Sequence, residues 1–256
     1  MITLMFTLAG TALAAALSGC GEQPGEAAAV EARSRQSEPV QAAPDPPAAE
    51  VEDEVEAEDA GGGDREAPTV PDRAQDVDPI GVGRTAPTAM LRDAADEPVD
   101  LTELYAEGPT LLVFYRGGWC PYCSQQLRSL AEAEDELDAM GVRIVALSPD
   151  RPARLAETPA DLDMGYVLLS DSPMTLTRAF GLAFRMTDAD VARYAEQGLD
   201  LREHSGESHQ LLPVPAVYLV DRDGTIRFAH WNPDYTSRLS REEIVEAARR
   251  VIEPRP

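Results

Sequence analysis

Short apolar runs separated by stretches of helical periodicity organise the second half of the chain. Residues 110–115 form a continuous apolar run rich in strand formers, the pattern of a strand covered on both faces. Runs at 142–147, 166–169 and 216–220 repeat it. The last is closed by Asp221-Arg222-Asp223-Gly224 and followed by residues 225–229, which predicts a hairpin. Between the first two runs, Cys123, Leu127, Leu130, Leu137 and Met140 recur on one side of a helix that Gly141 stops. Ser240-Arg241-Glu242-Glu243 opens a final helix as a capping box, with apolar positions at helical spacing as far as Ile252. A peripheral helix is expected around 189–198. Strands separated by helices, then a hairpin and a last helix, predict an α/β sandwich around a mixed sheet.

The chemistry of this scaffold concentrates at its first strand-to-helix junction. Trp119-Cys120-Pro121-Tyr122-Cys123 follows the 110–115 strand through an Arg116-Gly117-Gly118 turn. Pro121 suits the first helical position, having no N–H to leave unpaired, so Cys120 is expected to cap the helix. Unpaired amides and the helix dipole at that end favour a thiolate, the nucleophilic form of cysteine. Cys123 follows about one turn later, on the flank facing the core. Cys120 is therefore expected to attack and Cys123 to resolve. A structural zinc site takes four ligands, whereas the chain has no second C-x-x-C and only His204, His209 and His230 to complete one. A purely structural disulfide closing so short a loop would constrain the unfolded chain little, which leaves redox exchange as the reading the spacing supports. Arg116, four residues before Cys120, either supplies positive charge to the thiolate or is a solvated turn residue. His209, six residues before Pro215, is a candidate to approach the cysteines.

The remaining cysteine belongs to different material. Residues 1–21 carry no charge and end in Leu17-Ser18-Gly19-Cys20, similar to a bacterial lipoprotein signal cut ahead of a cysteine that then carries lipid. The stretch departs from that pattern in having no Lys or Arg near its start, and Thr3, Thr7, Gly10, Thr11 and Ser18 dilute it below a membrane span. Lipid on Cys20 implies an extracytoplasmic, membrane-anchored protein. Residues 22–80 hold 17 acidic residues against four arginines, eight prolines and no Phe, Trp or Tyr. Such a segment cannot bury enough apolar surface to offset its ordering entropy, so 20–80 is expected to be a disordered tether, spanning about 45 Å as a random coil. The organisation read from the sequence is thus a signal at 1–19, a tether at 20–80 and one globular domain at 81–256. The chain's net charge of −24 argues against a nucleic-acid partner. All 22 basic residues are arginine, which excludes Schiff-base chemistry.

Gly83-Arg84-Thr85-Ala86-Pro87, Leu101-Thr102-Glu103-Leu104, the junction from Phe114 to Cys123, Leu168-Leu169-Ser170-Asp171 and Leu212-Pro213-Val214-Pro215-Ala216 carry a resemblance. Together they resemble the peroxiredoxin-like branch of the alkyl hydroperoxide reductase/thiol-specific antioxidant (AhpC/TSA) family, over about residues 80 to 252. The resemblance implies a thioredoxin-like fold, and Val214-Pro215 is similar to the cis-proline position that faces the cysteines in such folds. The chain departs from the family in one respect. Typical members carry a Pro seven residues and a Thr three residues before the peroxidatic cysteine, and counted from Cys120 these positions are Val113 and Gly117. Asn232-Pro233-Asp234-Tyr235 with Arg238 recurs in this branch, with no chemistry assignable from residue types.

The expected activity is thiol-disulfide exchange by Cys120 and Cys123 on protein disulfides, supported by Trp119, Pro121, Pro215 and Arg116 and without a cofactor. Reduction of small peroxides is the alternative, with Cys120 peroxidatic and Cys123 resolving. A third possibility is Cu(I) held by the two cysteines and His209, since soft thiolates suit that ion. The partner that resets the pair is not legible.

Overall fold

The computed structural model describes residues 69–157 and 164–252, all within the compact unit Pro39–Pro256. The signal, Cys20 and most of the tether lie outside the described residues. Among the described residues no helix is long and apolar enough to cross a membrane.

Seven strands form one mixed sheet. They are β1 (Met90–Arg92), β2 (Pro98–Asp100), β3 (Thr110–Phe114), β4 (Arg143–Ser148), β5 (Val167–Ser170), β8 (Ala216–Val220) and β9 (Ile226–Trp231), in the order β2-β1-β5-β4-β3-β8-β9. β3, β4 and β5 run parallel, while β8 lies antiparallel to β3 and β9 antiparallel to β8. β6 (Ala183–Arg185) and β7 (Leu211–Pro213) pair separately. Every residue of β3 is buried, as its unbroken apolar run requires. Its side chains alternate between two cores. Leu111 and Val113 meet Leu127, Leu130 and Leu137 of α2 (Pro121–Ala139) and Ile244, Val245 and Ala248 of α7 (Arg241–Ile252). Leu112 and Phe114 meet Leu101, Phe180 and Tyr218 on the other face. The predicted α/β sandwich is therefore present, with α2 and α7 on one side. The capping box forms as read: Ser240 N–H donates to Glu243 Oε2 at 2.7 Å, and Glu243 N–H donates to Ser240 Oγ at 3.2 Å.

Several elements were not anticipated. The β1–β2 hairpin is closed by Asp93, whose carboxylate accepts from Ala95 N–H and Glu97 N–H at 2.8 and 2.9 Å. Its strands are too short to show a period. Short helices α1 (Leu101–Glu107), α3 (Pro152–Leu155) and α4 (Thr175–Ala179) join the strands, the peripheral helix is α5 (Asp188–Glu196), and a second helix, α6 (Leu201–Ser205), follows it.

The boundary placed at 80 moves toward the N-terminus. Val77 and Ile80 pack on the core that holds Phe180, Ile80 N–H donates to Phe180 O at 3.0 Å, and Arg185 N–H donates to Pro71 O at 2.8 Å. Gly181, at φ 73°, receives this segment so closely that a Cβ there would lie 2.1 Å from Asp78 O. Composition averaged over the acidic stretch hid the few apolar residues that dock.

Candidate active site

The cysteine pair sits where β3, the loop after it and α2 meet. Cys120 is the N-cap of α2 with Pro121 behind it, as the sequence predicts, and its carbonyl accepts from Ser124 N–H at 3.0 Å. The preceding turn is held by Asp150, whose Oδ2 accepts from Gly118 N–H at 2.7 Å. Gly117 has φ 146°, and a Cβ on it would lie 2.2 Å from Trp119 Nε1 and 2.9 Å from Asp150 Oδ1. A threonine has no room there, which explains the departure at position 117.

Both cysteines are free and buried. They differ in what they face. Cys120 lines a cavity of about 150 Å³ together with Arg116, Trp119, Tyr194, Leu199 and His204. Cys123 faces the core, and Arg238 Nη2 donates to its sulfur at 3.4 Å. Arg238 is itself fixed by Gln126 Oε1 at 2.7 Å and Tyr235 O at 2.8 Å. Burial opposes ionisation of Cys123. The hydrogen bond from Cys120, the charges of Arg238 and Arg116 and a backbone contact outweigh it, holding the thiol down to about 6. The same hydrogen bond, with burial behind it, pushes Cys120 up. The pair thus shares one proton, and the resting charge lies on Cys123 rather than on Cys120 as expected. The helix end favours a thiolate at Cys120, but the hydrogen bond that Cys120 gives to Cys123 and the Arg238 guanidinium outweigh it. Counted back from Cys123, the family's Thr and Pro positions are Cys120 and Arg116.

Arg116 is not a solvated turn residue. It is 3% exposed, and among the described residues no carboxylate pairs with it. Its guanidinium lies over Tyr235 at 4.0 Å and beside Trp119 and Tyr194 at 5.4 and 5.8 Å, and it donates to Tyr194 Oη at 2.5 Å. Burial opposes its charge, while Tyr194 and both cysteine sulfurs favour it. Its counter-charge is therefore the cysteine pair.

The other candidates divide. Trp119 packs on Tyr194 and edge-on to His204, with centroids 5.8 and 6.5 Å apart. Pro215 lies behind Arg116, lining a separate groove with Phe184 and Tyr235. His209 does not join the cysteines. Its Nδ1 accepts from Leu211 N–H at 2.9 Å, so Nε2 carries the proton and donates to Ser172 O at 2.8 Å. Both nitrogens are engaged, so the expected copper set of Cys120, Cys123 and His209 is not assembled. Among the described residues no cluster of three or more His, Cys, Asp or Glu is placed to hold a metal ion. Four residues around the cysteines escaped the sequence reading as site residues: Arg238, Asp150, Tyr194 and His204. Arg238 carried a weak signal in recurring with Asn232-Pro233-Asp234-Tyr235, whereas His204 carried none.

The chain matches the AhpC/TSA family model over residues 82–229. Among curated proteins it is 29% identical to the putative peroxiredoxin Bcp of Haemophilus influenzae over 106 residues, covering 41% of this chain and 68% of that one. It is 30% identical to peroxiredoxin Bcp of Escherichia coli, covering 41% of this chain and 67% of the relative. Among solved structures it resembles peroxidoxin BcpB from Mycobacterium tuberculosis (TM-score 0.53, 20% identity, 68% of this chain and 98% of the other). Reduced Prx3 from Vibrio vulnificus in complex with hydrogen peroxide is similar too (TM-score 0.54, 20% identity, 66% and 99%). These likenesses assign the sheet and its flanking helices to the thioredoxin-like fold. The family match covers more than half of the chain, and the chain belongs to the AhpC/TSA family.

Proposed function

We propose that the chain is a thiol-dependent peroxidase of the Bcp type, in which Cys120 attacks the peroxide and Cys123 resolves. Peroxide reduction thereby takes precedence over the disulfide exchange expected from the Cys-Pro-Tyr-Cys spacing. The observation that carries the reading is the division of labour between the cysteines: Cys120 opens on a cavity while Cys123, buried beside it, holds the charge. Proton transfer from Cys120 to Cys123 delivers the attacking thiolate without drawing on solvent. Attack gives a sulfenic acid at Cys120, and the Cys123 sulfur then closes the internal disulfide. An external dithiol reopens it by exchange.

A second assignment has support in the guanidinium at Cys123 and in a Cys120 thiol that hydrogen-bonds to it from the family's Thr position. There Cys123 is peroxidatic. Single-turnover oxidation of the reduced protein by micromolar hydroperoxide, with a dimedone trap, separates the two. Cys120 as nucleophile predicts that Cys120→Ser is inert and that Cys123→Ser accumulates a trapped sulfenic acid. The reverse pattern exchanges the roles. A wild-type protein that exchanges disulfides but is not oxidised by hydroperoxide overturns the peroxidase. We further propose that Cys20 anchors the protein to the outer face of a membrane.

A further inference from the structure

We propose that His204, oriented by Asp150, is the acid that protonates the leaving oxygen when Cys120 attacks. The inference rests on the peroxidase reading with Cys120 as nucleophile. Cleaving the O–O bond of a hydroperoxide expels hydroxide or an alkoxide, poor leaving groups unless a proton meets them. The two residues nearest the chemistry do not supply it readily. Arg116 is a permanent cation that holds its protons, and the proton that Cys123 receives from Cys120 is needed later, for the hydroxide lost from the sulfenic acid.

His204 meets the geometric requirement. It lies on α6 and lines the same cavity as Cys120, packed against Trp119, the residue next to that cysteine. Its Nδ1 is 3.6 Å from Asp150 Oδ1. Asp150 is 2% exposed, its Oδ1 has no hydrogen-bond partner among the described residues, and its Oδ2 holds the turn leading to Cys120 through Gly118 N–H. A buried carboxylate with one oxygen unspent, 3.6 Å from the ring nitrogen, is placed to orient the imidazole. With Nδ1 turned to Asp150, Nε2 is left for the cavity. The charged groups around the imidazole are Asp150 beyond β4, Arg116 and Cys120 at the cavity floor, Arg151, whose N–H donates to His204 O at 2.9 Å, and Arg202 and Glu203 of its own helix.

The step balances. The Cys120 sulfur donates an electron pair to the hydroxyl-bearing oxygen of ROOH, the S–O bond forms, and the O–O bond breaks with its pair on RO. The imidazolium Nε2–H is transferred to that oxygen, giving ROH and neutral His204, which takes up a proton from solvent. Sulfur is oxidised by two electrons and the peroxide reduced by two. The Cys123 thiol then attacks the sulfenic sulfur, the S–S bond forms, the S–O bond breaks, and the Cys123 proton leaves with the hydroxide as water.

The test compares leaving groups in His204→Gln. Hydrogen peroxide and tert-butyl hydroperoxide need the proton, whereas a peracid expels a stable carboxylate and iodoacetamide expels iodide. The expected result is a loss of roughly 100-fold or more in single-turnover rate with the two hydroperoxides. The rates with peracetic acid and iodoacetamide stay near wild type, which also shows that the variant is folded and its nucleophile intact. Equal losses with all four reagents, or no loss with any, overturn the acid role and leave the peroxidase standing. A wild-type protein inert to hydroperoxides and peracid overturns both.

Discussion

Against the opposition of burial, a hydrogen bond from Cys120 and then a guanidinium 3.4 Å away favour charge on the Cys123 sulfur. Among the described residues Arg238 has no carboxylate partner, and its hydrogen bonds go to Gln126, the Tyr235 carbonyl and Cys123. The folded Cys123 value of about 6 lies below its unfolded reference of 9.0. The sign follows from linkage: a lowered value adds stability above the unfolded value, and that stability is lost as the pH falls through the folded one. The stability of the reduced protein therefore rises with pH between about 6 and 9, and thiolate ultraviolet absorbance titrates near 6. In Arg238→Met both transitions move toward the ordinary thiol range, and peroxide oxidation near pH 6 slows by roughly tenfold. An unchanged titration in this variant would show that Arg238 does not hold the charge. Arg116 acts on the same pair from inside its aromatic surround, where cation–π contacts of about 0.5–2 kcal/mol each replace hydration.

Secondary elements position these residues by their ends. The parallel β3 and β4 both finish at this edge of the sheet, so the loop after β3 brings Arg116 and Cys120 beside the loop after β4 that brings Asp150. Helices α5 and α6 then roof the cavity with Tyr194 and His204. The sequence placed one helix in this stretch and took it as peripheral, because a five-residue helix such as α6 has too few turns to show a period. The segment before β1 contributes through the opposite face. Val77 and Ile80 each cover part of the core around Phe180, worth about 1–2 kcal/mol apiece for partial burial. A protein beginning at residue 81 is accordingly expected to melt several degrees below one beginning at residue 69. Equal melting temperatures would show that the segment docks without stabilising.

For the whole molecule, the acidic stretch and the domain separate by composition as well as by position. Residues 22–68 hold 11 of the 24 net negative charges and no aromatic ring, so a chain anchored at Cys20 would carry its catalytic domain on a self-repelling spacer. If Cys20 bears lipid, the full-length protein partitions with membranes when expressed in bacteria and Cys20→Ala releases it. Recovery of wild type and variant alike in the soluble fraction would remove the anchor. With Cys20 so consumed, Cys120 and Cys123 are the chain's only thiols, and no third cysteine competes to resolve the sulfenic acid.

The β strands of the sheet's centre, both long helices and the redox pair at the cap of α2 were legible in the chain, because each rests on local periodicity or on a few neighbouring residues. The edge hairpin was missed for want of length, and the docking of 69–80 for want of apolar density. The chain alone could not say which sulfur carries the charge, since Arg238 lies 115 residues from Cys123 and its effect is a matter of 3.4 Å. Nor could it choose between His204 and His209, two histidines five residues apart. The backbone after α6 turns His209 onto Ser172 and leaves His204 in the cavity with Cys120, beside Asp150. Local patterns determined the elements and the address of the cysteine pair, while electrostatics acting across the fold, which depends on through-space distance, set the surroundings of each sulfur.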